Sequence, residues 1–327
     1  MAPTHWTNTQ VQPSEAVAAQ GSSDSSLEEF LLPLRGSQVF YCPNPGNGGD
    51  SLIALATFQL FEKLEIRTRF VEWDEDVDLA DQVVIYAGGG NLVGLYPQAR
   101  SFFKRHHRRA KRLILLPSTV WKNEDLLESM ESNVDLICRE RISYEHVLRT
   151  ARRANVHLMD DAAFNLDVGA VMAARVPSIW WMAIRSAARE LFGRAAPGDV
   201  TARTAARCLK ARSRSAAGWR LPKGNVLNAF RTDREKPDRP LPEDNIDLSR
   251  VFALGTHSRT AAEYASHRFL SVIDRFDRVR TDRLHVCIGG ALLGKEVEFY
   301  PNSYFKNEAV FEFSLRDRFP NVSWQNG

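Results

Sequence analysis

The chain has only four cysteines, and they are far apart. Cys42, Cys138, Cys208 and Cys287 show neither the paired spacing of a zinc site nor the density of a secreted disulfide framework, so reduced, packed thiols are expected. Long apolar runs are missing as well: no stretch of about 18 residues reads as a membrane-spanning helix. The first residues lack the charged-then-apolar order of a secretory signal. Those two absences make the cytoplasm the expected compartment. Neither sign of charge prevails, since 43 Lys and Arg against 40 Asp and Glu leave a formal net charge of +3. That is too little to call for nucleic acid or another polyanion as partner. Glycine clusters exist, but without the Lys of a P-loop or the spacing of a dinucleotide fingerprint. Metal-ligand spacing is also absent: His106 and His107 are adjacent and project differently from a helix, so no metal is expected.

What is present reads as a globular α/β protein. At 327 residues the chain exceeds the reach of one core, so two domains of roughly 150 residues are expected. A hydrophobic content of 44% with 25% charge excludes wholesale disorder. Residues 1–27 mix Gln, Ser, Thr, Pro and Ala without periodicity and read as a flexible leader. Over 28–175, strands at 38–42, 67–73, 82–86, 113–116, 135–138 and 156–158 alternate with helical patterns such as 51–64. The gaps suffice for crossovers, which predicts a parallel sheet with helices on both faces. Residues 176–220, rich in Ala and Arg and holding Trp180, Trp181 and Trp219, read as a helical connector. A second alternating unit spans 221–327, with strands at 225–230, 251–254 and 296–300, one ending at Val279, and a helix over 259–276. Two Rossmann-like domains facing across a cleft fit this order, and such sheets bind ligands at the carboxyl ends of their strands.

The strand ends hold the polar chemistry. After the first strand, Asn44-Pro45-Gly46-Asn47-Gly48-Gly49-Asp50-Ser51 lets the backbone turn and approach a ligand, with Asp50 or Ser51 able to cap the next helix. Ala87-Gly88-Gly89-Gly90-Asn91 stands in an equivalent place after the 82–86 strand. A tight turn explains either cluster alone; two at successive strand ends point to one cleft. Ser118 and Thr119 supply hydroxyls after the 113–116 strand, and Arg139 stands at the mouth after 135–138. Arg231 and Arg234 repeat the cationic theme in the second unit. The most informative stretch is 279–295. A strand ends at Val279, Asp282 is positioned as an N-cap, and Arg283 and His285 fall in the first turn of a helix that Gly294 can end. Unpaired N–H groups there favour an anion, which a fixed cation and a titratable imidazole would share. The bland alternative is a cap followed by a surface arginine and a packed histidine.

Two further runs have bland readings. Asp74-Glu75-Asp76 looks like an acidic pair for a metal-bound nucleotide but lies in a polar loop. The basic run 104–112 reads as a solvated helix face, or as a contact for anionic lipid at the inner membrane face.

Taken together, Asn47-Gly48-Gly49-Asp50, Gly88-Gly89-Gly90-Asn91, Arg139-Glu140 with Ser143-Tyr144, Asp160-Asp161-Ala162-Ala163-Phe164, and Arg283-Leu284-His285 with Asn302-Ser303-Tyr304 and Lys306 resemble the polysaccharide pyruvyl transferase family. The similarity runs from Cys42 to Phe313. It implies a GT-B-like pair of domains, phosphoenolpyruvate as donor substrate with no separate cofactor, and a saccharide acceptor, free or lipid-linked. It also implies Arg139, Arg283 and His285 as catalytic donor-site residues. Gly48, Gly49, Asp50, Gly89, Gly90, Asn91, Ser118, Ser303 and Lys306 are expected to bind substrate. Arg141 is close enough in sequence to exchange roles with Arg139. Guanidiniums suit the donor's carboxylate and phosphate, and an imidazole suits proton transfer near neutrality. His285 is thus an acid/base or a phosphate ligand. Asp50 and Glu140 activate the acceptor, or merely cap a helix and pair with Arg141.

Overall fold

The computed structural model describes residues 26–326 apart from 177, 194–220 and 222. Most of the expected leader and connector, with Trp219 and Cys208, therefore lie outside the described residues. Seven strands form one sheet: β1 Gln38–Cys42, β2 Arg67–Phe70, β3 Val83–Tyr86, β4 Gly89–Leu92, β5 Arg112–Val120, β6 Val134–Cys138 and β7 Asn155–Leu158. Their order is β2-β1-β3-β5-β6-β7, with β4 also on β5, and every pairing is parallel. A second parallel sheet has the order β11-β10-β9-β8, built from β8 Val226–Asn228, β9 Arg278–Thr281, β10 Glu296–Phe299 and β11 Val322–Trp324. β6 is buried at all five positions, as a strand covered by helices on both faces must be. The chain steps from β1 outward to β2 and then back to β3 on the other side. That reversal opens a crevice at the carboxyl ends of β1 and β3.

The helix Gly48–Lys63 begins at that crevice. Asn47 accepts the Gly49 N–H and Asp50 accepts the Asn47 N–H, a closed capping box that fixes where the helix starts. It is buried on nearly every side rather than amphipathic, because the helices Arg259–Ile273, Leu284–Leu292 and Leu248–Val251 and the turn Ala162–Asn165 pack around it. Leu52, Ile53 and Leu55 share one apolar cluster with Phe269 and Leu270 of the helix Arg259–Ile273 and Ile288 of the helix Leu284–Leu292. Each such side chain, wholly buried, contributes roughly 1.5–3 kcal/mol over exposure. The strand ends of both sheets are therefore held against each other by core packing.

Four local expectations are corrected. β5 continues through Pro117 to Val120, its register shifting between Leu115 and Ser118, so Ser118 and Thr119 lie within a strand. The glycines at 89 and 90 are not a loop but β4, which pairs with that extension at Ser118 and Val120. Gly89 adopts φ +127°, a conformation side-chain-bearing residues avoid. Residues 251–254 are not a strand: Leu248 and Val251 are buried one helical turn apart in the short helix Leu248–Val251, a spacing a four-residue apolar run cannot reveal. The cap of the helix Leu284–Leu292 is Arg283, not Asp282. The Asp282 carboxylate instead accepts the Arg231 N–H and pairs with Arg239.

Candidate active site

The carboxyl ends of the two sheets enclose a cleft of about 370 Å³, a size that suits a small ligand. Asp50, Asn91 and Arg139 line it from the seven-stranded side, and Arg283, His285 and Lys306 from the other.

Arg139 leaves the end of β6 and is 1% exposed. Its Nε donates to Thr119 Oγ1 at 3.0 Å and one terminal nitrogen donates to Asp161 Oδ2 at 2.6 Å. Asp161 lies in the turn after β7, where its other oxygen accepts the Ala163 N–H at 2.9 Å. The same Oδ2 stands 3.5 Å from Nε2 of His285. Burial pushes the Asp161 carboxyl up, but the imidazole and the Arg139 charge outweigh it and hold the group well below the usual carboxylate range. An ionised Asp161 favours a hydrogen on the facing Nε2. That nitrogen is buried and makes no hydrogen bond among the described residues. On the far side of the ring, a Cβ at Gly49 would come within 2.7 Å of Nδ1, so the helix start can approach His285 only because residue 49 has no side chain.

A second charge cluster faces the first. The Arg283 fork binds Asp247 bidentately, Nε at 3.0 Å and a terminal nitrogen at 2.6 Å, and its other terminal nitrogen reaches Asp233 at 2.7 Å. Arg231 bonds both Asp233 and Glu235. Glu235 also accepts from Lys306 and from Tyr96, the latter at 2.9 Å across the cleft from the loop after β4. Burial opposes the charge on Glu235, yet the Lys306 and Arg231 cations hold its carboxyl well below the ordinary range. Burial likewise pulls the Lys306 ammonium down to about 8, with Glu235 resisting.

Of the sequence-derived candidates, Asp50, Gly90, Asn91, Arg139, Arg283, His285 and Lys306 line the cleft. Gly48, Gly49, Gly89, Ser118 and Ser303 do not. Gly48 packs on Phe252, and Gly89 passes against Asn44 and Asp50. Ser118 is 2% exposed and donates to Leu116 O at 2.8 Å, so its hydroxyl serves its own strand. Ser303 contributes its N–H to the Glu235 carbonyl. Of the two neighbouring arginines, Arg139 is buried in the cleft wall, whereas Arg141 is exposed over the Phe313 ring and does not line the cleft. Glu140 does not reach the cleft or pair with Arg141; it caps the helix Arg141–Thr150 through the Ser143 N–H. Asp161, Asp233, Glu235 and Asp247 were not singled out from sequence as site residues. Asp161 stands within the Asp160-Asp161-Ala162-Ala163-Phe164 motif, and Asp233 and Glu235 flank Arg234 in the run that follows the first strand of the second unit; those neighbourhoods were the available signal.

A family model described as polysaccharide pyruvyl transferase matches residues 47–304, a span that includes Asp50, Asn91, Arg139, Arg283 and His285 of the cleft but not Lys306. The chain belongs to the polysaccharide pyruvyl transferase family. Among curated proteins, "Putative pyruvyl transferase EpsO" of Bacillus subtilis (strain 168) is 26% identical over 297 residues, covering 84% of this chain and 84% of that protein. Among solved structures, that of a functional uncharacterized protein, KP1_0663, from Klebsiella pneumoniae subsp. pneumoniae NTUH-K2044 superposes with a TM-score of 0.68 at 27% identity. That match covers 92% of this chain and 97% of the other. No described helix is long and apolar enough to cross a membrane.

Proposed function

We propose that this member of the family transfers pyruvate from phosphoenolpyruvate to two hydroxyls of one sugar in a polysaccharide repeat unit, forming a ketal and releasing phosphate. In this reading the two sheets belong to a GT-B-like pair of domains and the reaction runs in the cytoplasm. The observation that carries it is His285, which lines the cleft with its Nε2 3.5 Å from the Asp161 carboxylate that also pairs with Arg139, in a cleft rich in arginine. An imidazole held beside an ionised carboxylate at the wall of a cleft is a group that can exchange a proton with a ligand there.

The chemistry then divides among the chain's own residues. A proton goes to the donor's methylene carbon, a sugar oxygen bonds to the neighbouring carbon and gives up its proton, the C–O bond to phosphate breaks, and the second sugar oxygen closes the ketal with loss of its proton. His285 carries the proton, and ionised Asp161 stabilises the imidazolium that results. Arg139 offers the donor its remaining guanidinium hydrogens while Asp161 and Thr119 fix its plane. Gly90 lets the ligand approach that guanidinium, since a Cβ there would stand 3.5 Å from an Arg139 terminal nitrogen.

The test is sugar-dependent phosphate release from phosphoenolpyruvate, with the acceptor examined for a new ketal methyl group. Release coupled to ketal formation supports the proposal. Transfer from a nucleotide sugar, with no use of phosphoenolpyruvate, overturns it in favour of a glycosyltransferase.

A further inference from the structure

Arg231 and Arg283 meet three carboxylates, and these are not equivalent. Arg283 is anchored by Asp247 and Arg231 by Glu235, whose side chains are only 7% and 5% exposed. Asp233 joins the two arginines: Oδ1 lies 2.8 Å from Arg231 Nε and Oδ2 lies 2.7 Å from a terminal nitrogen of Arg283. Its side chain is 29% exposed, and Arg231, Asp233 and Arg283 all line the cleft. Glu235 lines the cleft too but is almost wholly covered, so Asp233, the most exposed of the three and the one that bridges both arginines, is the carboxylate a ligand can replace.

One carboxylate bridging two guanidiniums is the arrangement by which arginine pairs hold a carboxylate or phosphate of a ligand. Taking Asp233 away leaves both forks in place, because Asp247 and Glu235 still hold them. We propose that Arg231 and Arg283 form an anion subsite that the chain's own Asp233 occupies in the unliganded protein and that a phosphate or carboxylate of the ligand takes over. Such an internal occupant lowers apparent affinity by the fraction of molecules in which it sits in place. A small monoanion offers no more than Asp233 does and fails to displace it. A ligand that also engages another cation of the cleft succeeds, so the device selects for polyanionic ligands. The inference rests on the proposed pyruvyl transfer only for the natural identity of that ligand.

Calorimetric titration of the full chain with inorganic phosphate, repeated for Asp233→Asn, provides the test. Asparagine keeps an oxygen for the Glu235 N–H, 3.1 Å from Asp233 Oδ1, but removes the charge that competes. Phosphate affinity should rise on the order of tenfold, since a neutral acceptor on arginine is roughly half as strong as a charged one. Adding Arg231→Gln should abolish the gain. Asp233→Ser provides a second variant if the asparagine protein melts early. Unchanged or weaker phosphate binding in a folded Asp233 variant overturns the subsite and makes Asp233 a positioning residue for the arginines. Phosphate binding is read without any transfer step, so failure of pyruvyl transfer would leave this result standing, and the reverse.

Discussion

Asp161 Oδ2 lies 3.5 Å from His285 Nε2, a contact that ties the end of β7 in the larger sheet to the helix following β9 in the smaller one. The same oxygen carries the Arg139 ion pair, so one carboxylate serves both a guanidinium and an imidazole. Asp161→Asn should therefore damage two things together. It leaves Arg139 buried without its counter-charge, which costs about 3–5 kcal/mol, and it removes the support for a charged imidazole. The expected outcome is a markedly lower melting temperature and a loss of turnover in whatever remains folded. A normal melting temperature would refute the ion pair's structural role.

His285→Gln separates the roles left open for the imidazole. As a proton carrier, its loss should keep the fold and most donor affinity while turnover falls by something like 10²–10⁴-fold. As a phosphate ligand, donor affinity should fall alongside turnover. Melting temperature, phosphoenolpyruvate affinity and phosphate release on one preparation distinguish them. Near-normal release contradicts the catalytic assignment.

The neighbouring arginines should behave differently. Arg139→Ala removes a charge-assisted contact and should weaken phosphoenolpyruvate binding by an amount equivalent to roughly 1.5–3 kcal/mol. Arg141→Ala, which deletes an exposed side chain over Phe313, should leave donor affinity unchanged. Equal losses in both would show that the donor is held elsewhere.

Glu140 predicts a pH dependence of stability. Burial raises its carboxyl to about 7 in the folded protein, against the opposing hydrogen bonds of Ser143. The folded state thus holds a proton that the unfolded chain has already released, so stability falls as pH rises from about 4.5 towards 7 and levels off above that. Glu140→Gln still accepts the Ser143 N–H and has no proton to lose. The variant should gain on the wild type across that window, by up to roughly 3 kcal/mol at pH 8. Denaturant midpoints at pH 5 and pH 8 check this, and a gap between the two proteins that stays constant would contradict it.

Six of the seven strands of the parallel sheet, its crevice and the strand-to-helix turn at Arg283-Leu284-His285 were legible from the chain because each is local, resting on apolar runs and crossover lengths; β4, a glycine pair with no apolar run, and the cap of the helix Leu284–Leu292 were not. Nor were the carboxylates that organise the site. Asp247 stands 36 residues from Arg283 and Asp161 stands 22 from Arg139, and only the fold brings them together. Ser118 misled for a related reason. Pro117 reads as the end of a strand, but β5 passes through it by shifting register against β6, which turns the Ser118 hydroxyl onto its own backbone. Short strands such as β11, only Val322–Trp324, carry too little pattern to be seen.

The central claim is that the cleft takes phosphoenolpyruvate. Thermal-shift titration of the full chain with phosphoenolpyruvate and, side by side, with a panel of nucleotide sugars tests it most directly, because a ligand that binds only the folded state raises its melting temperature. Phosphoenolpyruvate should raise it in wild type and much less in Arg139→Ala, with no response to the panel. A shift with a nucleotide sugar and none with phosphoenolpyruvate would contradict the account.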